Sequence, residues 1–139
     1  MSVFNEFLAS SDRLRVYQGR KLVFSSTREN LLPIIEYIDS YNPCHRRVVI
    51  YDRIVGNAAA LLSVLANCHE IYSPLGSQLA IATLDRYHVR HHLAEVVPYI
   101  RKPDSPDMCP MEKLSIDKDP ETFYAAVKNS IGYHKQKAG

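Results

Sequence analysis

The stretch "RRVVIYDRIVGNAAALLSVL", Arg46 to Leu65, constrains the fold more than any other part of the chain. Val48 to Tyr51 is a nearly continuous apolar run, the pattern of a central strand buried on both faces. Asp52 and Arg53 end it, and Gly56 opens an alanine-rich helix expected over Val55 to Asn67. A buried strand running straight into a helix is the first half of a strand–crossover–strand unit. Such units place their strands in parallel and stack helices on the sheet, so the expected class is α/β.

The flanking sequence fits this frame. "VFNEFLA" carries Val3, Phe4, Phe7 and Leu8 on one helical face. "LRVYQGRKLVF" alternates around Gln18-Gly19 as a β-hairpin. Leu31, Ile34, Ile35 and Ile38 have helical spacing, and Pro33 is tolerated only in a first turn, so that helix is expected to begin near Arg28 to Asn30. A short strand "EIYSP", a helix "SQLAIATLDRYH" with Leu79, Ala82, Leu84 and Tyr87 inward, and a strand "VRHHLAEVV" follow. "PYIRKPDSPDMCP" reads as irregular, "MEKLSI" follows it, and a last helix runs from Asp119 to about Ile131. The expectation is a three-layer α/β/α arrangement: a mixed five-stranded sheet with a β-hairpin and crossover helices. It would form one domain over residues 1–131, with 132–139 a basic tail.

A chain of 139 residues is long enough to bury roughly two-thirds of its unfolded surface in one core. The formal charge of +2 and the dispersed basic residues give no footprint for nucleic acid. No apolar run approaches the ~20 residues of a membrane span. "MSVFNEFLAS" has neither the basic start nor the apolar core of a signal peptide. The expected location is therefore cytoplasmic, with Cys44, Cys68 and Cys109 reduced. The sequence leaves a homo-oligomer open.

In open α/β sheets ligands bind beyond the carboxyl ends of the parallel strands. "YDRIVGN", "YSPLGS" and the loop carrying "DMCPMEK" fall there. Asp52 could act as a general base or hold a ligand hydroxyl, or it could simply cap the helix. Gly56 could let a ligand approach the backbone and the helix N–H groups accept an anion, or it could serve tight packing. The segment thus supplies Arg53, Val55, Gly56 and Asn57 as ligand-binding candidates. "VGNAAA" is neither a dinucleotide fingerprint nor a P-loop. Cys109, just before Pro110, could be a nucleophile at a helix start, and Glu112 an acid or base. The plainer alternatives are a buried cysteine and a first-turn dipole partner.

The "PCH", "NCH" and "HVRHH" segments bring imidazoles and thiols. Adjacent strand residues point to opposite faces, however, and Cys-x-x-Cys is absent, so no metal and no other cofactor is expected.

Taken together, "DRIVGNAAALL" and "MCPMEKL" resemble the prokaryotic domain of unknown function 1893 family. The resemblance extends through "RVYQGRKLVF", "LLPIIEYI" and "VVPYI", nearly the whole chain. It implies a cytidine-deaminase-like fold, in which zinc enzymes carry ligands at the starts of two crossover helices. Laid on this chain, those positions fall near Thr27, Arg28 and Glu29 and on Arg53 to Asn57. Ile54 and Asn57 stand where cysteine ligands would be. The resemblance therefore implies a fold without the zinc ligands, and it places a family lysine where this chain has Asn57. Asp52, Cys109 and Glu112 would then be the reactive residues of a domain that binds a nucleotide or related small molecule. The alternative is a non-catalytic interaction or regulatory module that keeps the fold.

Overall fold

The computed structural model describes residues 2–41 and 43–130; the expected basic tail at 132–139 lies outside them. The elements run α1 (Val3–Ala9), β1 (Leu14–Gln18), β2 (Lys21–Ser26), α2 (Leu32–Ser40), β3 (Val48–Asp52), α3 (Asn57–Leu65), β4 (Cys68–Ser77), α4 (Gln78–Arg86), β5 (Arg90–Val97), α5 (Pro110–Ser115) and α6 (Pro120–Ser130). The five strands form one mixed sheet in the order β2-β1-β3-β4-β5. β1 pairs antiparallel with both β2 and β3, whereas β3, β4 and β5 run parallel. Gly19 turns the β1–β2 hairpin at φ +61°, a conformation that glycine adopts without steric cost.

Helices cover both faces, which gives the expected α/β/α layering. On one face α3 lies at the centre and packs against α2, α4, α5 and α6. Every residue from Asn57 to Ser63 is buried. The run of alanines explains this, because small side chains let a helix axis approach the sheet and its neighbours closely. Val48, Ile50 and Ile71 point into this layer and are fully buried. Strand alternation turns Tyr51 to the other face, where it meets Phe4 and Phe7 of α1. Rings continue across that face: Tyr17 meets Tyr51 edge-on at 5.5 Å, Tyr51 stacks on Tyr72 at 4.9 Å, and Tyr72 stacks on His92 at 4.2 Å. A seven-residue helix and this row of aromatics make up the second outer layer.

Several element boundaries differ from the sequence expectation, each for a local reason. α2 starts at Leu32, not near Arg28 to Asn30, because Asn30 is left-handed at φ +60° and Leu31 is the cap. Pro33 still lies in the first turn. α3 starts at Asn57 because Val55 remains extended: it accepts from Ser77 N at 3.1 Å and donates to Leu75 O at 2.9 Å. β4 has ten residues, well beyond "EIYSP", since pairing with β5 continues along its length. In α4 the buried positions are Ala80 and Leu84, while Ala82 faces solvent.

Candidate functional site

A cavity of about 620 Å³ opens where the carboxyl end of β3 meets the starts of α2, α3 and α5 and the loop at 98–109. Asp52, Arg53, Gly56, Cys109 and Glu112 all line it, alongside Leu31, Leu32, Ile54, Ile100 and Met111. The two motifs that are far apart in sequence thus meet in one concavity. The topology places it where parallel strands end and ligands collect.

Asp52 is the last residue of β3. It does not cap α3, whose N-cap is Gly56. Enclosure raises its carboxyl from the ordinary carboxylate range to about 7, against the lowering effect of the backbone N–H groups of Arg53 and Ile54 and of the Arg53 charge. A carboxyl poised near neutrality can both accept and donate a proton, the property required of a general acid–base group.

Glu112 has a different position from the one its place in "CPMEK" suggests. It is 2% exposed, and both oxygens are engaged. Oε1 accepts from Asn57 N at 2.6 Å and Oε2 from Ile100 N at 2.8 Å. The carboxylate therefore sits on the N-terminus of α3, where its charge complements the helix dipole, and it ties that terminus to the 98–109 loop. Gly56 makes this approach possible: a Cβ there would lie 2.8 Å from both Glu112 Oε1 and Ile100 Cγ1. The missing side chain at Gly56 thus makes room for Glu112.

Arg53 is turned into the fold. Its guanidinium donates to the carbonyls of Phe7, Leu8, Ser10 and Asp12 at 2.7–3.3 Å and stacks over the Phe7 ring at 4.5 Å. Two of these carbonyls, Phe7 and Leu8, belong to the last turn of α1, where the helix itself supplies no i+4 donors, and the other two follow it. Val55 is fully buried in the sheet extension. Asn57 is 7% exposed and faces α4 and α5: Nδ2 donates to Ser115 O and Oγ at 3.2 and 3.0 Å, and Thr83 donates to Oδ1. Of the expected ligand-binding residues, Gly56 and Arg53 border the cavity, whereas Val55 and Asn57 do not line it.

Cys109 caps α5 and lines the cavity with a partly exposed side chain. Its backbone N–H donates to Ile100 O at 2.8 Å, so the loop that begins at Ile100 closes at the cysteine. Arg13 and Glu29 form an ion pair of 3.2 Å at the rim. Ile100, Arg13 and the start of α2 belong to the site without any local sequence pattern to announce them.

Ile54 carries a hydrocarbon side chain and the Asn57 amide is fully engaged by Ser115 and Thr83, so neither offers a metal a free donor. Among the described residues no group of three or more His, Cys, Asp or Glu converges as a metal site. The histidines of "HVRHH" pair separately with carboxylates, His91 with Asp85 at 3.0 Å and His92 with Glu70 at 2.7 Å. Among the described residues no helix is long and apolar enough to cross a membrane.

Residues 3–131 match the family described as a domain of unknown function, DUF1893. A crystal structure of a DUF1893 family protein from Thermotoga maritima superimposes with a TM-score of 0.78 at 26% identity, covering 88% of this chain and 83% of that one. No curated protein matches the chain.

Proposed function

From the premise that the chain belongs to the DUF1893 family, we propose that it is a cytidine-deaminase-like domain without zinc that binds a nucleotide-like small molecule. Base, nucleoside and nucleotide all fall in that class. One observation carries this reading: Asp52, Cys109 and Glu112 converge on a single cavity at the carboxyl edge of the sheet. Its volume of about 620 Å³ lies within the range of small-molecule sites. Apolar walls with a few polar groups are also what a heterocycle requires.

In this reading Asp52 is the recognition group and, if bonds are made or broken, the acid–base group. Cys109 is the nucleophile available to such chemistry. Glu112 is a positioning residue, because both of its oxygens already hold the walls of the cavity together. The experiment is a thermal-shift screen of bases, nucleosides and nucleotides on the wild type, Asp52→Ala and Cys109→Ser. The reading expects at least one of them to stabilise the wild type and to lose its effect in Asp52→Ala. A screen in which none stabilises the wild type rejects it.

A second reading is favoured by a specific set of bonds. Arg53, Asn57 and Glu112 each make structural hydrogen bonds, part-buried for Arg53 and buried for the other two. An interaction module that kept the fold would keep those bonds too. It differs in expecting Asp52→Ala and Cys109→Ser to alter stability without altering any small-molecule response.

A further inference from the structure

We infer that Glu112 sets the charge of the ligand, so that the cavity selects an uncharged or cationic, phosphate-free heterocycle and rejects its phosphorylated form. The inference rests on the binding reading above and narrows it.

The N-terminus of α3 is the natural phosphate site of such a fold. Here its leading N–H, that of Asn57, is held by Glu112 Oε1 at 2.6 Å. A second anion at that end would meet the Glu112 charge at close range, and like-charge repulsion opposes it. Of the two cationic side chains lining the cavity, Arg53 is held firmly and Arg13 sits in an exposed ion pair at the rim. The Arg53 guanidinium donates to four backbone carbonyls on the side of α1, and Arg13 pairs with Glu29. The Asp52 carboxyl is a further acceptor at the end of β3.

What these groups favour is the opposite kind of ligand. A carboxyl group accepts well from two adjacent N–H donors, as on the amidine-type edge of an aminated heterocycle. Leu31, Leu32, Ile54, Ile100 and Met111 provide apolar walls for a ring. Discrimination of this kind works by building an unfavourable charge against the competitor, and Glu112 is the residue that supplies it.

The test is calorimetric titration of the wild-type protein at pH 7.5 and low ionic strength with matched pairs: adenosine and its 5′-monophosphate, and likewise for guanosine, cytidine and uridine. The expected result is that the best nucleoside binds at least about tenfold more tightly than its monophosphate, a gap of about 1.4 kcal/mol. In Glu112→Gln, which keeps an acceptor but removes the charge, that ratio falls toward one. A monophosphate that binds the wild type as tightly as its nucleoside overturns the inference and leaves the binding reading intact. So does an undiminished ratio in Glu112→Gln. If no member of any pair binds, the reading and the inference fall together. Should Glu112→Gln not fold, a wild-type ratio near one overturns the inference, and a ratio that persists in Asp52→Asn, where Glu112 is the carboxylate left of the two, supports it.

Discussion

The backbone N–H of Asn57 donates to Glu112 Oε1 at 2.6 Å, across 55 residues of sequence. The other oxygen of the same carboxylate takes the N–H of Ile100. One buried side chain thereby fixes the start of the central helix, the loop at 98–109 and the short helix α5 relative to one another. The cavity has its shape because of that junction.

Removing the Glu112 carboxylate should therefore loosen the whole site. Glu112→Ala leaves two backbone donors without partners and opens a void, and it is expected to cost about 3 kcal/mol. Glu112→Gln should cost less, about 2 kcal/mol, since one oxygen remains to accept while the amide nitrogen faces the second backbone donor. Urea denaturation of both variants reads the difference. A Glu112→Ala variant as stable as wild type would refute the junction.

Arg53 holds the end of α1 and the turn after it by four carbonyl bonds, two of them to α1 itself, and by one ring contact. Arg53→Ala should destabilise the fold by about 2–4 kcal/mol, with the loss concentrated at α1. Hydrogen exchange locates it: amides of residues 5–10 should exchange faster, with little change in β3. Uniform acceleration across the sheet would argue against a local clamp.

Asp52 gives the stability a pH dependence of known sign. Its native carboxyl titrates near 7, against an ordinary value of 3.8. Between those values the native state retains a proton that the unfolded chain has released. The stabilising contribution is thus complete below about pH 4 and is lost as pH rises to about 7. Asp52→Asn removes this titration. Relative to wild type it should gain stability across that window and be more stable by about 2 kcal/mol above pH 7, with a ceiling of about 4 kcal/mol. A gap between the two proteins that does not change with pH contradicts the assignment.

Asn57 tests the lysine that the resemblance implies at this position. Its amide contacts Ser115 and Thr83 in a buried space, so Asn57→Lys introduces a cation among groups arranged for a neutral amide. A loss of about 2–4 kcal/mol is expected, read as a fall in Tm of roughly 3 °C per kcal/mol. An unchanged Tm would mean that the lysine reaches solvent or the cavity, and that the position can host a working cation.

Cys109 should be the fastest-reacting thiol of the native protein. It is partly exposed on the cavity wall, whereas Cys68 is buried with its thiol pushed up to about 12 and Cys44 is raised by burial as well. Alkylation followed by peptide mass mapping should find the first label at Cys109. A first label at Cys44 would place the open surface elsewhere.

The residues that carried most information were those whose patterns have a period. The apolar run at Val48–Tyr51, the alternation around Gly19 and the spacing of Ile34, Ile35 and Ile38, with the segments after them, were enough to determine the class, the parallel half of the sheet and the element order apart from α5. Local chemistry also placed Pro110 at a helix start and put "YDRIVGN" and "CPMEK" at the carboxyl edge. These follow from interactions within a few residues, where backbone geometry fixes which side chains share a face.

Tertiary structure alone decided what the site residues do. Nothing adjacent to Glu112 reveals that its oxygens meet Asn57 and Ile100. Nothing adjacent to Arg53 reveals that its guanidinium closes α1, and nothing near Gly56 shows that its missing Cβ makes room for a carboxylate. A polar side chain in an enclosed space takes its role from the donors, acceptors and charges brought to it by distant segments. Sequence can therefore name the residues at a sheet edge, but only the folded arrangement divides them into those that hold the cavity together, such as Glu112, and those that line it, such as Asp52 and Cys109.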